Sequence, residues 1–270
     1  MNRRIVIFLI ILLLLAASAF FFFFSRTADH SQTDMPQPTE IPQPTDTPEP
    51  VAATDTPVPE KEDDDARIIY LTFDDGPGES TARLLKVLDE YGVKATFFVT
   101  NKYPGYSDYI KQESILGHSI GAHSYSHDLD TVYDDYISDL NEIEELIRSE
   151  TSSYTSIIRF PGGSSNTIAR DKMGELIQIL SDAGYVYYDW DVDSCDATSA
   201  KTADEVLRNM EEGVLSSKKY SVILCHDVYE YTVDAVEQFI PWALENGFEF
   251  EKLEYEGPVV HHHIDSEEQQ

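Results

Sequence analysis

From Arg67 onward the sequence predicts an α/β fold assembled from parallel β/α units. Three observations predict it. Short runs rich in β-branched and aromatic residues alternate with stretches whose apolar residues recur at helical spacing. Polar or glycine-containing turns separate these segments. The unusual polar residues fall at or just past the C-terminal ends of the strand runs, the end that carries the chemistry in β/α folds. Alternation alone fits either a barrel or an open doubly wound sheet.

The first strand is "RIIYLTF", followed by a helix over residues 80–91 with Leu84, Leu85 and Leu88 on one face. "KATFFVT" and "SIGAHS" are the second and third strands, and an amphipathic helix follows over residues 136–148. "SIIRF" is the fourth, before a helix over residues 167–183. "YVYYDWDVD", "SVILCH" and "FEFEKL" complete seven strands, with helices over residues 203–213 and 233–245 between them.

The N-terminal part has another character. Arg3 and Arg4 precede an apolar run from Ile5 to Phe24, about the length that crosses a hydrocarbon core. Residues 1–26 are expected to be a membrane anchor or an export signal. The preceding positive charges keep the N-terminus inside and send the body outside the cytoplasm. Ala17-Ser18-Ala19 resembles a cleavage site, but the phenylalanines Phe20–Phe24 follow it, which favours an uncleaved anchor over a secreted form. Residues 27–66 are rich in Pro, Thr, Gln, Asp and Glu and read as a disordered spacer. At roughly 3 Å per residue, about forty residues reach on the order of 100 Å.

The formal net charge is -31, which argues against nucleic acid as a partner, since that binding needs cationic surface to displace counterions. The acidic stretch "HDLDTVYDDYISDLNEIEELIRSE" is expected to be a solvated helix face.

Asp74 and Asp75 close the first strand just before Gly76-Pro77. On its own such a tetrapeptide is as readily a turn as a site. His123 and His127 lie four apart, so on a helical turn their rings would face the same way. With Asp75 they make a two-histidine, one-carboxylate set that leaves positions open on an ion. Paired carboxylates then suggest a division of labour, one binding metal and the other taking a proton from water acidified by it.

In this order, "TFDDGP", "HSYSH", "RFPGG", "DVDSCDA" and "ILCHD" resemble the motifs of the polysaccharide deacetylase family, carbohydrate esterase family four. It includes chitin, chitooligosaccharide and peptidoglycan N-acetylglucosamine deacetylases. The resemblance spans residues 67–253 and implies a distorted (β/α) barrel of about seven parallel strands over a catalytic domain of residues 67–255, with an acidic, histidine-bearing tail at 256–270. It implies metal-dependent removal of N-acetyl groups from a polysaccharide, with peptidoglycan the best fit for a tethered, monomeric enzyme. O-deacetylation of a glycan such as acetylated xylan and an inactive glycan-binding protein are the rivals.

Residue by residue, the resemblance makes Asp74 the general base and Asp75, His123 and His127 the ligands of a divalent metal. Zinc suits them; cobalt or iron would also fit. Arg159 would orient Asp74. The Gly162 N–H would face the oxyanion, and glycine there, where many members carry a bulky residue, would leave a wider rim. His226 would be the general acid, tuned by Asp196, and Leu224 would line the acetyl pocket.

Ala197 departs from the usual tryptophan after the aspartate of the fourth motif. Trp190 is the candidate replacement for that wall, the competing reading being packing between barrel and helices. Cys195 and Cys225 precede catalytic candidates on strand ends that the resemblance brings close. They are either a disulfide or two small buried thiols. The tail with His261, His262 and His263 is expected to be unstructured.

Overall fold

The computed structural model describes residues 67–217 and 219–264, all within one compact unit, Glu60–Gln270. The anchor and spacer expected over residues 1–66 lie outside the described residues. Among those that are described, no helix is long and apolar enough to cross a membrane.

The described residues form eight strands: β1 Arg67–Asp74, β2 Thr96–Thr100, β3 Ser119–Ser124, β4 Ile157–Ile158, β5 Val186–Tyr187, β6 Val192–Asp193, β7 Tyr220–His226 and β8 Phe248–Glu251. The helices are α1 Thr81–Glu90, α2 Asp108–Ile115, α3 Tyr136–Thr151, α4 Arg170–Asp182, α5 Ala203–Ser216 and α6 Glu230–Glu245. A 3-10 turn, Pro104–Tyr106, precedes α2. The residue pattern gives no warning of α2, a short helix that buries only Ile110 and Glu113.

Every strand pairing is parallel, in the order β5-β4-β3-β2-β1-β7-β6 with β8 also on β1. β7 runs along β1 from Ile68 to Asp74, while the opposite edge of β1 is shared by β8 at Arg67–Tyr70 and β2 at Thr72–Asp74. The two ends of this order, β5 and β6, are consecutive in the chain but do not pair, so the sheet curls into a parallel half-barrel with its seam between them.

The expected fifth strand is thereby divided. The Tyr188 N–H still reaches Ile158 O on the β4 side, the Asp189 N–H turns to Val260 O, and the Asp191 N–H reaches Val222 O on the β7 side. One chain segment changes partners across the seam, which is why eight strands appear where about seven are expected.

Alternation along the strands sorts two apolar layers. Leu71, Phe73, Phe97, Val99 and Ile223 face outward against Leu84, Leu88, Ile143, Met210 and Phe239 of the helices. Tyr70, Phe98, Ile157, Tyr188, Val222 and Leu253 fill the barrel. Gly121 is required beside Phe98, whose ring would overlap any Cβ there. α5 begins with a capping box between Thr202 and Glu205, and Arg83 of α1 binds Glu230, Asp234 and Glu237 along one face of α6. These ties fix the helices around the C-terminal strand ends.

Candidate active site

Successive strand residues point to opposite faces, so two adjacent aspartates reach the same place only if the backbone turns between them. Asp74 ends β1, and Asp75 takes φ 72, a left-handed conformation that is costly for a residue with a Cβ and concentrates at functional sites. The turn brings Asp74 Oδ2 to 3.8 Å and Asp75 Oδ1 to 3.6 Å from the same atom, His123 Nε2. Thr100 holds the turn by donating to Asp75 O at 2.8 Å.

His123 lies on β3, and its Nδ1–H donates to Arg159 O at 2.7 Å. That fixes the tautomer and leaves the Nε2 lone pair facing the aspartates. His127 is not on a helical turn. β3 ends at Ser124, and His127 sits in the following loop with φ 48. Its ring centroid still comes within 5.1 Å of that of His123, because the loop is anchored. Asp139 of α3 accepts from Ser124 Oγ and Tyr125 N at 2.7 Å and from Ser126 N at 2.9 Å, and Ser124 Oγ accepts from His127 N at 2.8 Å. Most of the acidic stretch is solvated, but Asp139 is half-buried and works on this loop.

Donor atoms of Asp75, His123 and His127 lie within 4.8 Å of one another. Asp75 Oδ1 is buried and has no hydrogen-bond donor among the described residues, although His127 Nε2 approaches to 2.9 Å. A buried carboxylate oxygen facing the Nε2 atoms of two imidazoles fits a divalent cation. Burial disfavours the Asp75 charge, yet His127, His123 and His226 outweigh it and hold the carboxyl well below the usual range. Burial lowers His123 to about 4, against the pull of Asp74, so its imidazole is neutral at pH 7. Lys102 donates to Asp75 Oδ2 at 3.1 Å.

Arg159, just past β4, is 0% exposed. It donates to Asp74 Oδ1 at 2.8 Å, Thr72 Oγ1 at 2.7 Å, Tyr188 O at 2.9 Å and Asp189 O at 3.0 Å, and stacks over Phe98 at 4.2 Å. A buried ion pair with its donors so employed fixes geometry.

Across the site, His226 at the end of β7 pairs through Nδ1 with Asp196 Oδ1 at 2.7 Å. Asp196, also 0% exposed, accepts from His226 N and Thr232 Oγ1 as well. Burial works against the imidazolium, but Asp196, and then Asp74 and Asp75, raise His226 to about 9.

Comparison with known proteins follows the same lines. A family model described as polysaccharide deacetylase matches residues 61–187. A peptidoglycan-N-acetylglucosamine deacetylase of Bacillus cereus is 32% identical over 197 residues, 68% of this chain and 68% of its own. The chain belongs to the polysaccharide deacetylase family. Members of this family are hydrolases, and the chain is an enzyme of that class. The catalytic domain of a peptidoglycan N-acetylglucosamine deacetylase from Eubacterium rectale matches with a TM-score of 0.71 at 43% identity, over 74% of this chain and 94% of that one. A polysaccharide deacetylase from Bacillus cereus matches at 0.64 with 30% identity, over 72% and 95%.

In this deacetylase Gly162 and Gly163 are consecutive left-handed residues, φ 74 and φ 78, in a loop after Arg159 that only glycine enters without strain. Leu224 faces the barrel interior two residues before His226, buried yet in neither apolar cluster. Trp190 packs on the interior cluster, not on the layer between sheet and helices, and its ring lies against Gly163. Ala197 is exposed in the turn after Asp196 and brings no large side chain of its own. Tyr231 donates to Asp196 O at 2.8 Å and stacks on Tyr229, itself 6.2 Å from His226 between ring centroids.

Cys195 and Cys225 are free thiols, the first half-buried and the second buried. The tail departs from expectation: up to residue 264 it is docked, with His261 stacked on Tyr187 at 3.9 Å and His262 edge-on to Trp190 at 4.6 Å. Residues 265–270 lie outside the described residues.

Proposed function

We propose that this enzyme removes N-acetyl groups from N-acetylglucosamine residues of cell-wall peptidoglycan, using a divalent metal held by Asp75, His123 and His127. One observation carries the reading. Asp74, held by Arg159, and His226, held by Asp196, flank a three-donor cluster at one end of the sheet. Neighbours named as peptidoglycan deacetylases support the substrate. Zinc suits a site of two imidazoles and one carboxylate, and cobalt or iron shares that preference. Bound there, the metal would polarise the acetyl carbonyl and acidify water.

The chain's own groups do the rest. Asp74 takes a proton from the attacking water while Arg159 occupies its other oxygen. The Gly162 N–H donates to the oxygen that becomes negative as water adds to the carbonyl; a donor in that role contributes about 3 kcal/mol. Leu224 packs against the acetyl methyl. His226, protonated at neutral pH, gives its proton to the nitrogen as the C–N bond breaks, so that acetate and a free amine leave. Residues 67–255 form the catalytic domain, a monomer working outside the membrane on the 27–66 spacer and the 1–26 anchor.

The test is acetate release by the zinc-loaded protein from N-acetylglucosamine oligomers, peptidoglycan and acetylated xylan, with Asp74→Asn as blank. Release from the amide substrates, greatest on peptidoglycan, is expected. Release from xylan alone would make it an esterase, and none at all would leave a glycan-binding protein.

A further inference from the structure

The segment after β8 crosses the seam between β5 and β6. Tyr188 Oη donates to Glu254 O at 2.6 Å and accepts from Gly257 N at 3.1 Å, while the Asp189 N–H, which no strand receives, is taken by Val260 O at 3.0 Å. The segment then reaches the glycine loop. Asp189, 0% exposed, accepts from Ser164 N at 2.8 Å, from Ser164 Oγ at 2.5 Å and from His262 N at 2.8 Å. His262 Nε2 lies 2.9 Å from Trp190 O, and its Nδ1 lies 3.1 Å from Ser165 Oγ. Trp190 O can only accept, so Nε2 carries the hydrogen and the Ser165 hydroxyl donates to Nδ1. A Cβ on Gly163 would come within 3.2 Å of His262 Nδ1 and 2.9 Å of the Trp190 ring.

The opposite flank of the loop is held by other groups. Tyr133 donates to Pro161 O at 2.7 Å, and Asn166 Nδ2 donates to Gly163 O at 2.7 Å. The two left-handed glycines are thus gripped between Tyr133 and Asn166, which precede α3 and α4, on one side and the C-terminal segment on the other.

We propose that residues 257–264 are a strap that sets the oxyanion loop, and that His262 is the positioning residue through which it does so. The inference rests on the role given above to the Gly162 N–H. A donor displaced by about 1 Å loses much of its effect on a developing charge, on the order of a hundredfold in rate. His262 touches no metal-ligand candidate in the structure, so its loss acts on turnover and leaves metal affinity unchanged.

The experiment uses the full-length chain and compares wild type, His262→Ala, Ser165→Ala, the double variant and a chain ending at residue 256. Three readouts are taken: kcat and KM for acetate release, zinc affinity, and amide hydrogen exchange over residues 160–166. Expected are a kcat lowered roughly tenfold or more, a KM within about twofold, unchanged zinc affinity, and no further loss in the double variant, the signature of one coupled unit. Exchange of the loop rises while that of β3 and β7 does not. Wild-type exchange in His262→Ala overturns the proposal even if no substrate is turned over. Turnover at the wild-type rate with a loosened loop, or zinc affinity falling together with kcat, overturns it too. Absence of acetate release by wild type would instead refute the deacetylase reading, with the exchange result still deciding whether the strap holds the loop.

Discussion

Asp74 and His226 are register partners across β1 and β7, so the two candidate proton-transfer groups stand side by side at the same height of the barrel. Parallel pairing makes this automatic once Ile68 aligns with Tyr220. The sheet thereby fixes where the base and the acid stand, and the loops fix which way each faces. Arg159 turns Asp74 toward the histidine pair, and Asp196 turns His226 from the other side.

The Asp196–His226 pair sets a pH limit. His226 titrates at about 9, against about 6.5 for an unperturbed imidazole. A general acid must be protonated, so kcat is expected to fall as pH rises through His226's value. Asp196→Asn should move that alkaline limb down by roughly one to two units. Stability follows the same sign: the pair's contribution is complete below about pH 6.5 and is lost as pH rises through about 9. NMR titration of His226 in the metal-free protein, beside the kcat–pH profile, checks both. An unmoved limb in Asp196→Asn would assign it to another group.

The two adjacent aspartates should fail differently. Asp75 Oδ1 faces both imidazoles at 2.9 and 3.6 Å, whereas Asp74 is engaged by Arg159 at 2.8 Å. Asp74→Asn is expected to lose turnover by a factor of at least about a hundred with zinc affinity near wild type. Asp75→Asn should weaken zinc binding itself. Isothermal titration with zinc separates them, and equal loss of metal in both would dissolve the division of roles.

Much of this site is legible in the sequence. Asp74, His123, Arg159 and His226 sit at or just past the ends of apolar runs, where strand alternation carries into side-chain direction; Asp75 adjoins them in sequence, but its direction comes from the left-handed turn that follows the strand. Where a residue depends on distant partners, the pattern is silent. His127 looks helical by its spacing from His123, yet Asp139 and Ser124 hold it in a left-handed loop. "YVYYDWDVD" alternates like one strand, but burial of Asp189 against Ser164 and His262 pulls its middle out of register. The histidines of the tail look solvated by composition, while Tyr187 and Trp190, more than seventy residues earlier, supply the surfaces on which they pack.

Asp139 is expected to matter for metal binding without touching the metal. Its carboxylate takes three donors from the loop between the two histidines. Asp139→Ala leaves two of those backbone N–H groups without an acceptor and frees His127, so zinc affinity should fall roughly ten- to a hundredfold. Asp139→Asn keeps one acceptor oxygen and should fall between. Competition with a chromophoric chelator measures it, and wild-type affinity in Asp139→Ala would show that the loop holds itself.

Glu113 poses a stability question. It is 0% exposed, neither carboxyl oxygen has a hydrogen-bond partner among the described residues, and burial, with the charge of Asp227 added, drives its protonation well above the ordinary carboxyl range. A carboxyl whose folded value is raised favours folding at low pH, and that contribution drains away as pH climbs from about 4.3, the unfolded value. Glu113→Met keeps the length of the side chain and removes the unpaired polar atoms, so it should stabilise the protein by about 1–3 kcal/mol. The gain should be larger at pH 8 than at pH 5, because the wild type alone carries the titrating group. Urea unfolding at the two pH values gives the comparison. Destabilisation at both would mean that Glu113 is paired in solution and that its carboxyl belongs to the fold.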